Sequence, residues 1–107
     1  MHGKEKLMDS KKQHIELYGK LVSEQSHFKK WLLEQEPEEI LKHTYEYTVR
    51  EDIIFAFEAM ELEDEYVAAL LLSPCPLQDI YENYRKKETD YMDDIRCSIK
   101  EVAKSNM

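Results

Sequence analysis

From Tyr45 to Met60 the chain runs without glycine or proline, and its apolar positions recur at helical spacing. Tyr45, Val49, Ile53, Ala56 and Met60 share one side; Ile54, Phe55 and Phe57 widen the stripe until the second half is apolar over most of its circumference. A helix that apolar is normally enclosed by others, so this segment is expected at the centre of a helical bundle. Upstream, Ile15, Tyr18 and Val22 form one stripe, and Leu17, Leu21, Phe28, Trp31 and Leu32 form a second beside it. They predict a long helix from about Lys11 to Gln35. Asp9 or Ser10 can cap it, because a short side-chain oxygen accepts a free amide of the opening turn. Ser23 and Ser26, weak helix formers, mark a place for a bend.

Glu36-Pro37-Glu38-Glu39 reads as a helix start. Proline at the first helical position gives up no needed hydrogen bond, and carboxylates complement the positive helix end. The periodicity then continues through Ile40, Leu41 and Thr44 into the central stretch, either unbroken from Pro37 to Met60 or interrupted near Thr48-Val49. Glu61 to Glu65 forms an acidic corner, followed by a short helix, Glu65 to Leu72, that ends where Pro74 forces Ser73 out of helical geometry. Pro76 opens another helix with Leu77, Ile80, Tyr81 and Tyr84 inward. Thr89 or Asp90 caps a last one, with Met92, Ile95, Ile99, Val102 and Ala103 at helical spacing. The fold class is all-α: a compact bundle of about five helices around the central helix near residues 37–60. Residues 1–8 are expected as a frayed tail, and residues 9–107 as one domain.

Composition narrows the function classes. A chain of 107 residues with 42% apolar and 36% charged side chains can bury one core without staples. Net charge is −8, unevenly spread. Residues 1–35 carry 7 basic and 5 acidic side chains, residues 36–65 carry 2 and 11, and residues 66–107 carry 6 and 7. Such a chain is a poor direct ligand for nucleic acid, whose phosphates require Lys and Arg, and a reasonable one for a basic surface. Cys75 and Cys97, without a Cys-x-x-Cys unit or paired histidines, read as free thiols in a reducing compartment. No signal-peptide-like run is present, and the longest apolar run, Val67 to Leu72, cannot span a bilayer. A soluble cytoplasmic protein is expected.

Several strings together resemble a known family. Pro37-Glu38-Glu39-Ile40, Tyr45 with Arg50-Glu51-Asp52-Ile53, Ala69-Leu70-Leu71, Pro76-Leu77-Gln78-Asp79-Ile80-Tyr81 and Tyr91-Met92-Asp93-Asp94-Ile95-Arg96 look like a family of small helical proteins of uncharacterised activity. That family occurs in Gram-positive gut bacteria and their mobile elements. The resemblance covers about residues 15 to 102. It implies an all-helical fold and a mobile-element or phage setting, and it brings no catalytic residues.

Candidate chemistries are few. Tyr91-Met92-Asp93-Asp94 copies a metal-binding string of reverse transcriptases, but adjacent aspartates on a helix diverge by about 100° and do not chelate one ion together. His2, His14, His27 and His43 have no histidine or cysteine three or four residues away, as a local zinc site requires. Asp52 sits among apolar neighbours, where burial raises a carboxyl pKa; the blander expectation is a structural pair with Arg50, Lys42 or a tyrosine. With glycine only at Gly3 and Gly19, no phosphate-binding loop exists. Tyr47, Tyr66 and Tyr84 are expected at the surface or at core edges, where tyrosine serves interfaces.

No catalytic, cofactor or metal residue is therefore expected. The candidate partner-binding residues are the carboxylates of the acidic block: Glu36, Glu38, Glu39, Glu46, Glu58, Glu61, Glu63, Asp64 and Glu65. A clustered negative field can occupy a groove built for phosphates. The expectation is a non-enzymatic interaction module for a basic protein, such as an anti-CRISPR-like inhibitor of a nuclease, without direct binding of nucleic acid or membrane. The alternative is a homo-oligomeric structural or adaptor protein, a homodimer in its simplest form.

Overall fold

Prolines open two of the helices, and a side chain from a neighbouring helix completes the second of these starts. The computed structural model describes the backbone of residues 2–87 and 89–107 and the side chains of residues 9–87 and 91–107. Five helices follow in order: α1 (His2–Leu33), α2 (Pro37–Ala59), α3 (Asp64–Leu71), α4 (Pro76–Lys86) and α5 (Thr89–Ser105). Among the described residues there is no strand. The all-α bundle is thus the architecture that the periodicity predicts. Pro37 and Pro76 stand at the first helical positions of α2 and α4.

Two local expectations shift, and one open alternative is decided. α1 starts well before Ser10, whose hydroxyl donates to Asp64 of α3 at 2.6 Å instead of capping its own helix. The side chains of residues 1–8, expected as a tail, lie outside the described residues, as do those of Thr89 and Asp90. α1 runs through Ser23 and Ser26 without a break. α2 is unbroken at Thr48-Val49, and within it the Thr44 and Thr48 hydroxyls donate to the carbonyls of Ile40 and Thr44, at 2.7 and 3.1 Å.

The core forms where α1 meets α2, α3 and α4. Leu17, Leu21, Val67 and Leu77 are fully buried, with Ile54 nearly so. Ile53, Phe57, Leu62, Leu70 and Leu71 pack around them. Of the two α1 stripes, the Leu17-Leu21 one faces inward, while Ile15 is 71% exposed. On α2 the buried side runs through Val49 and Ile54, and Phe55 is 71% exposed. The apolar surplus of α2 is therefore not enclosed all round.

A polar layer locks the same helices. Arg50 of α2 is 4% exposed. Its Nε and Nη2 donate to Glu46 Oε2 at 3.0 and 2.8 Å, and Nη2 also donates to Gln78 Oε1 of α4. Its guanidinium lies 4.5 Å from the Phe28 ring centroid of α1 and 5.7 Å from that of Tyr81 of α4. Gln78 passes the network on to Glu82 at 3.0 Å. One turn apart on α1, Lys20 and Glu24 grip the α3–α4 junction. Lys20 donates to the carbonyls of Leu71 and Ser73, at 3.2 and 2.5 Å. Glu24 accepts the amides of Leu77 and Gln78, at 2.9 and 3.2 Å. The cation thus meets the negative end of α3 and the carboxylate meets the positive end of α4, as helix dipoles require.

α5 stands apart. Its apolar stripe, expected to face the core, is exposed: Met92 50%, Ile99 64% and Val102 62%. Near its start the Tyr91 ring meets Tyr45 of α2, with centroids 6.1 Å apart. The radius of gyration is 18.8 Å, against about 13 Å for a compact domain of this length. The long α1 and the departing α5 account for the excess.

Two expected outcomes follow from this division. Leu21→Ala or Leu77→Ala should cost about 2–5 kcal/mol in urea unfolding of dilute protein, as truncation in a closed core does, whereas Ile99→Ser should stay within about 0.5 kcal/mol. Arg50→Ala, which strands Glu46 and Gln78, should cost about 3 kcal/mol or more.

Candidate interaction surface

The acidic block does not form one face. α2 is 23 residues long, so its ends lie about 34 Å apart at the usual helical rise. Glu36, Glu38 and Glu39 occupy the first end. Here the carboxylates suit the helix dipole, and Glu39 is engaged by Lys42 at 3.1 Å and His43 at 3.8 Å. Glu46 turns inward: one oxygen serves Arg50 and the other lies 3.5 Å from His43 Nδ1. Its role in the fold is visible in those contacts. His43 also sits edge-on to Trp31, with centroids 5.2 Å apart, which ties α2 to the end of α1.

Glu58, Glu61, Glu63, Asp64 and Glu65 gather at the second end, where α2 stops and α3 begins. The chain turns through extended backbone at Met60 and Glu63, and the Glu63 carbonyl accepts the amides of Tyr66 and Val67. Asp64 is taken up by Ser10 and lies 3.7 Å from His14. Glu58 lies beside the Tyr18 hydroxyl, whose pKa it raises. Glu61, Glu63 and Glu65 are exposed, and among the described residues none of them makes an ion pair. Asp64 and Glu65 complement the start of α3. Glu58 and Glu61 do the reverse, because they load negative charge onto the negative end of α2, whose last turn holds no basic residue.

The other candidates disperse. Asp52 is exposed, so the burial considered for it does not occur. Asp93 and Asp94 are exposed on α5, with Asp93 paired to Arg96 at 2.9 Å. Cys75 and Cys97 are free. His14 stacks on Phe57 with centroids 5.8 Å apart. Among the described residues no three His, Cys, Asp or Glu side chains gather as a metal site would need. Tyr66 and Tyr84 are exposed, at 55% and 45%, and Tyr47 is half-buried. Beside the acidic corner lies an apolar cleft of 270 Å³, lined in part by Met60, Leu62, Leu70 and Ile80. Among the described residues no helix is long and apolar enough to cross a membrane.

Sequence reasoning missed a polar seam between α1 and α2. Gln25 is 5% exposed and donates to the Tyr47 carbonyl at 3.1 Å and to Glu51 at 3.0 Å. Both partners there are acceptors, which settles the orientation of its amide. Burial, helped by Glu51, raises the Tyr47 phenol above its usual value. The hydrogen bond and charge of Glu58 raise Tyr18 likewise. A raised tyrosine keeps its proton in the fold after the unfolded chain has lost it. The unfolded state then binds fewer protons, and stability falls as pH rises. Urea unfolding should therefore show stability dropping above about pH 10, and Tyr47→Phe should make that drop shallower.

Comparison with known proteins adds a family and no activity. No curated protein matches the chain, and no solved structure does. A family model described as "Protein of unknown function (DUF3848)" matches residues 13–107, which take in the whole core and α5. The chain therefore belongs to the DUF3848 family.

Proposed function

We propose that the protein is a non-enzymatic interaction module whose acidic corner, from Glu58 to Glu65, engages a basic surface of another protein. One observation carries this. Glu58 and Glu61 oppose the dipole of the helix end that they occupy, and Glu61, Glu63 and Glu65 have no basic partner among the described residues. Glu61 in particular has neither a favourable helix end nor an ion pair among the described residues, and departures from local rules of this kind concentrate at functional sites. The separation of the two acidic ends of α2 favours a compact basic patch over a long duplex-shaped groove. In its sharpest form the partner is a nucleic-acid-binding enzyme of the host cytoplasm, and the protein is a mobile-element or phage inhibitor with an anti-CRISPR-like role. A homo-oligomeric or adaptor role is the second reading, favoured by the uncovered stripe of α5.

The test separates binding from folding. Across a panel of basic nucleases, the wild-type chain should displace DNA from at least one of them, with an effect that fades as salt rises. Glu61→Lys with Glu63→Lys should abolish that displacement while changing urea stability by less than about 1 kcal/mol, since the first reversal relieves the end of α2 and the second opposes the start of α3. Glu36→Lys with Glu38→Lys should retain most of it. Displacement unchanged by the Glu61 and Glu63 reversals, or absent across the panel, contradicts the proposal.

A further inference from the structure

The apolar cleft beside the acidic corner is built from several elements at once. α2 contributes Ile53, Ala56 and Met60, the turn after it Leu62, α3 Leu70 and α4 Ile80. Every side chain that lines it is apolar. Met60 is nevertheless 51% exposed, and Ala56 is exposed too, so the cleft stands open to solvent. Small-molecule sites run from about 300 to 1,000 Å³ and hold a few polar groups that fix the ligand. At 270 Å³ this cleft is smaller and offers no such group. Its size and lining suit a protruding apolar side chain, the kind of anchor that dominates the centre of a protein interface.

The charge around the cleft says what must flank that anchor. Glu61 and Glu63 are the chain neighbours of Leu62, and both are exposed. The stretch from Glu51 to Tyr84 supplies every lining residue except Leu21 of α1. It holds nine carboxylates and no lysine, arginine or histidine. Lys20, next to Leu21, is engaged by the carbonyls of Leu71 and Ser73. We propose that the cleft is the anchor pocket of the acidic corner, and that the partner fills it with an apolar side chain carried between lysines or arginines. An apolar centre inside a charged rim is the ordinary anatomy of a protein interface. The proposal rests on the reading of the corner as a binding surface, and it adds the chemistry that the partner must present there.

Methyl NMR of the full chain at physiological salt reads the binding, with three short peptides as probes. In the first, a phenylalanine sits between two pairs of lysines. In the second, serine replaces the phenylalanine; in the third, glutamates replace the lysines. The phenylalanine-lysine peptide should shift the methyls of Met60, Leu62 and Ile80. It should bind at least about tenfold more tightly than the serine peptide, the factor that burial of one such side chain supplies. The glutamate peptide should not bind. Ala56→Leu grows into the cleft from an exposed helical position that accepts leucine. It should erase the preference for phenylalanine and leave binding of the serine peptide unchanged, with circular dichroism confirming the fold. Glu61→Lys with Glu63→Lys should weaken both lysine peptides.

Equal affinity for the phenylalanine and serine peptides, or a preference that survives Ala56→Leu, overturns the anchor pocket and leaves the charged corner standing. Binding of the phenylalanine-lysine peptide that ignores the two charge reversals removes the corner itself, and the proposal with it. Three other results also overturn it. Equal binding of the glutamate peptide opens the cleft to any apolar ligand. Methyl shifts confined to Ile95, Ile99 and Val102 move the peptide to α5. Cleft shifts that grow with protein concentration alone give the cleft to a second copy.

Discussion

One guanidinium organises this fold. Arg50 is nearly inaccessible, and it reaches the carboxylate of Glu46 on its own helix, the amide of Gln78 on α4 and the ring faces of Phe28 and Tyr81. A buried ion pair adds little net stability over a well-packed apolar substitute. What it supplies here is position: α1, α2 and α4 must be in register for the charge to be satisfied. Lys20 and Glu24 repeat the principle at the α3–α4 junction, so that α1 fixes every neighbour by charge as well as by the Leu17 and Leu21 contacts.

The same constraint explains what is left over. Once α1 has packed against α2, α3 and α4, the apolar core is closed around Leu21, Val67 and Leu77. Among the described residues α5 has no comparable polar anchor: beyond the meeting of Tyr91 with Tyr45, its stripe remains in solvent. The acidic corner is a second surplus. The carboxylates at the start of α2 help that helix to begin, and Glu46 completes the Arg50 site. Those at the end of α2 contribute neither. The stable unit thus leaves two surfaces uncovered, one charged and one apolar, and the proposed interaction role rests on them.

Much of the scaffold was legible in the residues. Pro37 and Pro76 placed two helix starts correctly, Pro74 placed a stop, and period alone found all five helices, because each rests on local chemistry. Burial was less legible. Phe55 and Met92 lie on apolar stripes as strong as those of Ile54 and Leu77, and nothing in a periodicity distinguishes a stripe that finds a neighbour from one that does not. The Arg50 network was hidden for a related reason. Gln78 and Glu24 are distant in sequence from Arg50 and from each other, and only the packing of α1 against α4 brings them together. A faint signal existed: Arg50 follows Val49 within an otherwise apolar side of α2, a position that arginine occupies when its charge is satisfied inside. The division of the acidic block into two ends was foreseeable from helix length, since a helix of that span cannot gather both ends on one patch.

Native-state hydrogen exchange of dilute protein, residue by residue, tests the central claim most directly. If Arg50 binds α1, α2 and α4 into one cooperative unit, the amides around Phe28, Arg50 and Gln78 should be the last to exchange. They should share a single opening free energy equal to that of global unfolding, with α5 exchanging far earlier. Amides of α4 that open well before those of α1 and α2, or an α5 as protected as α1, would contradict it.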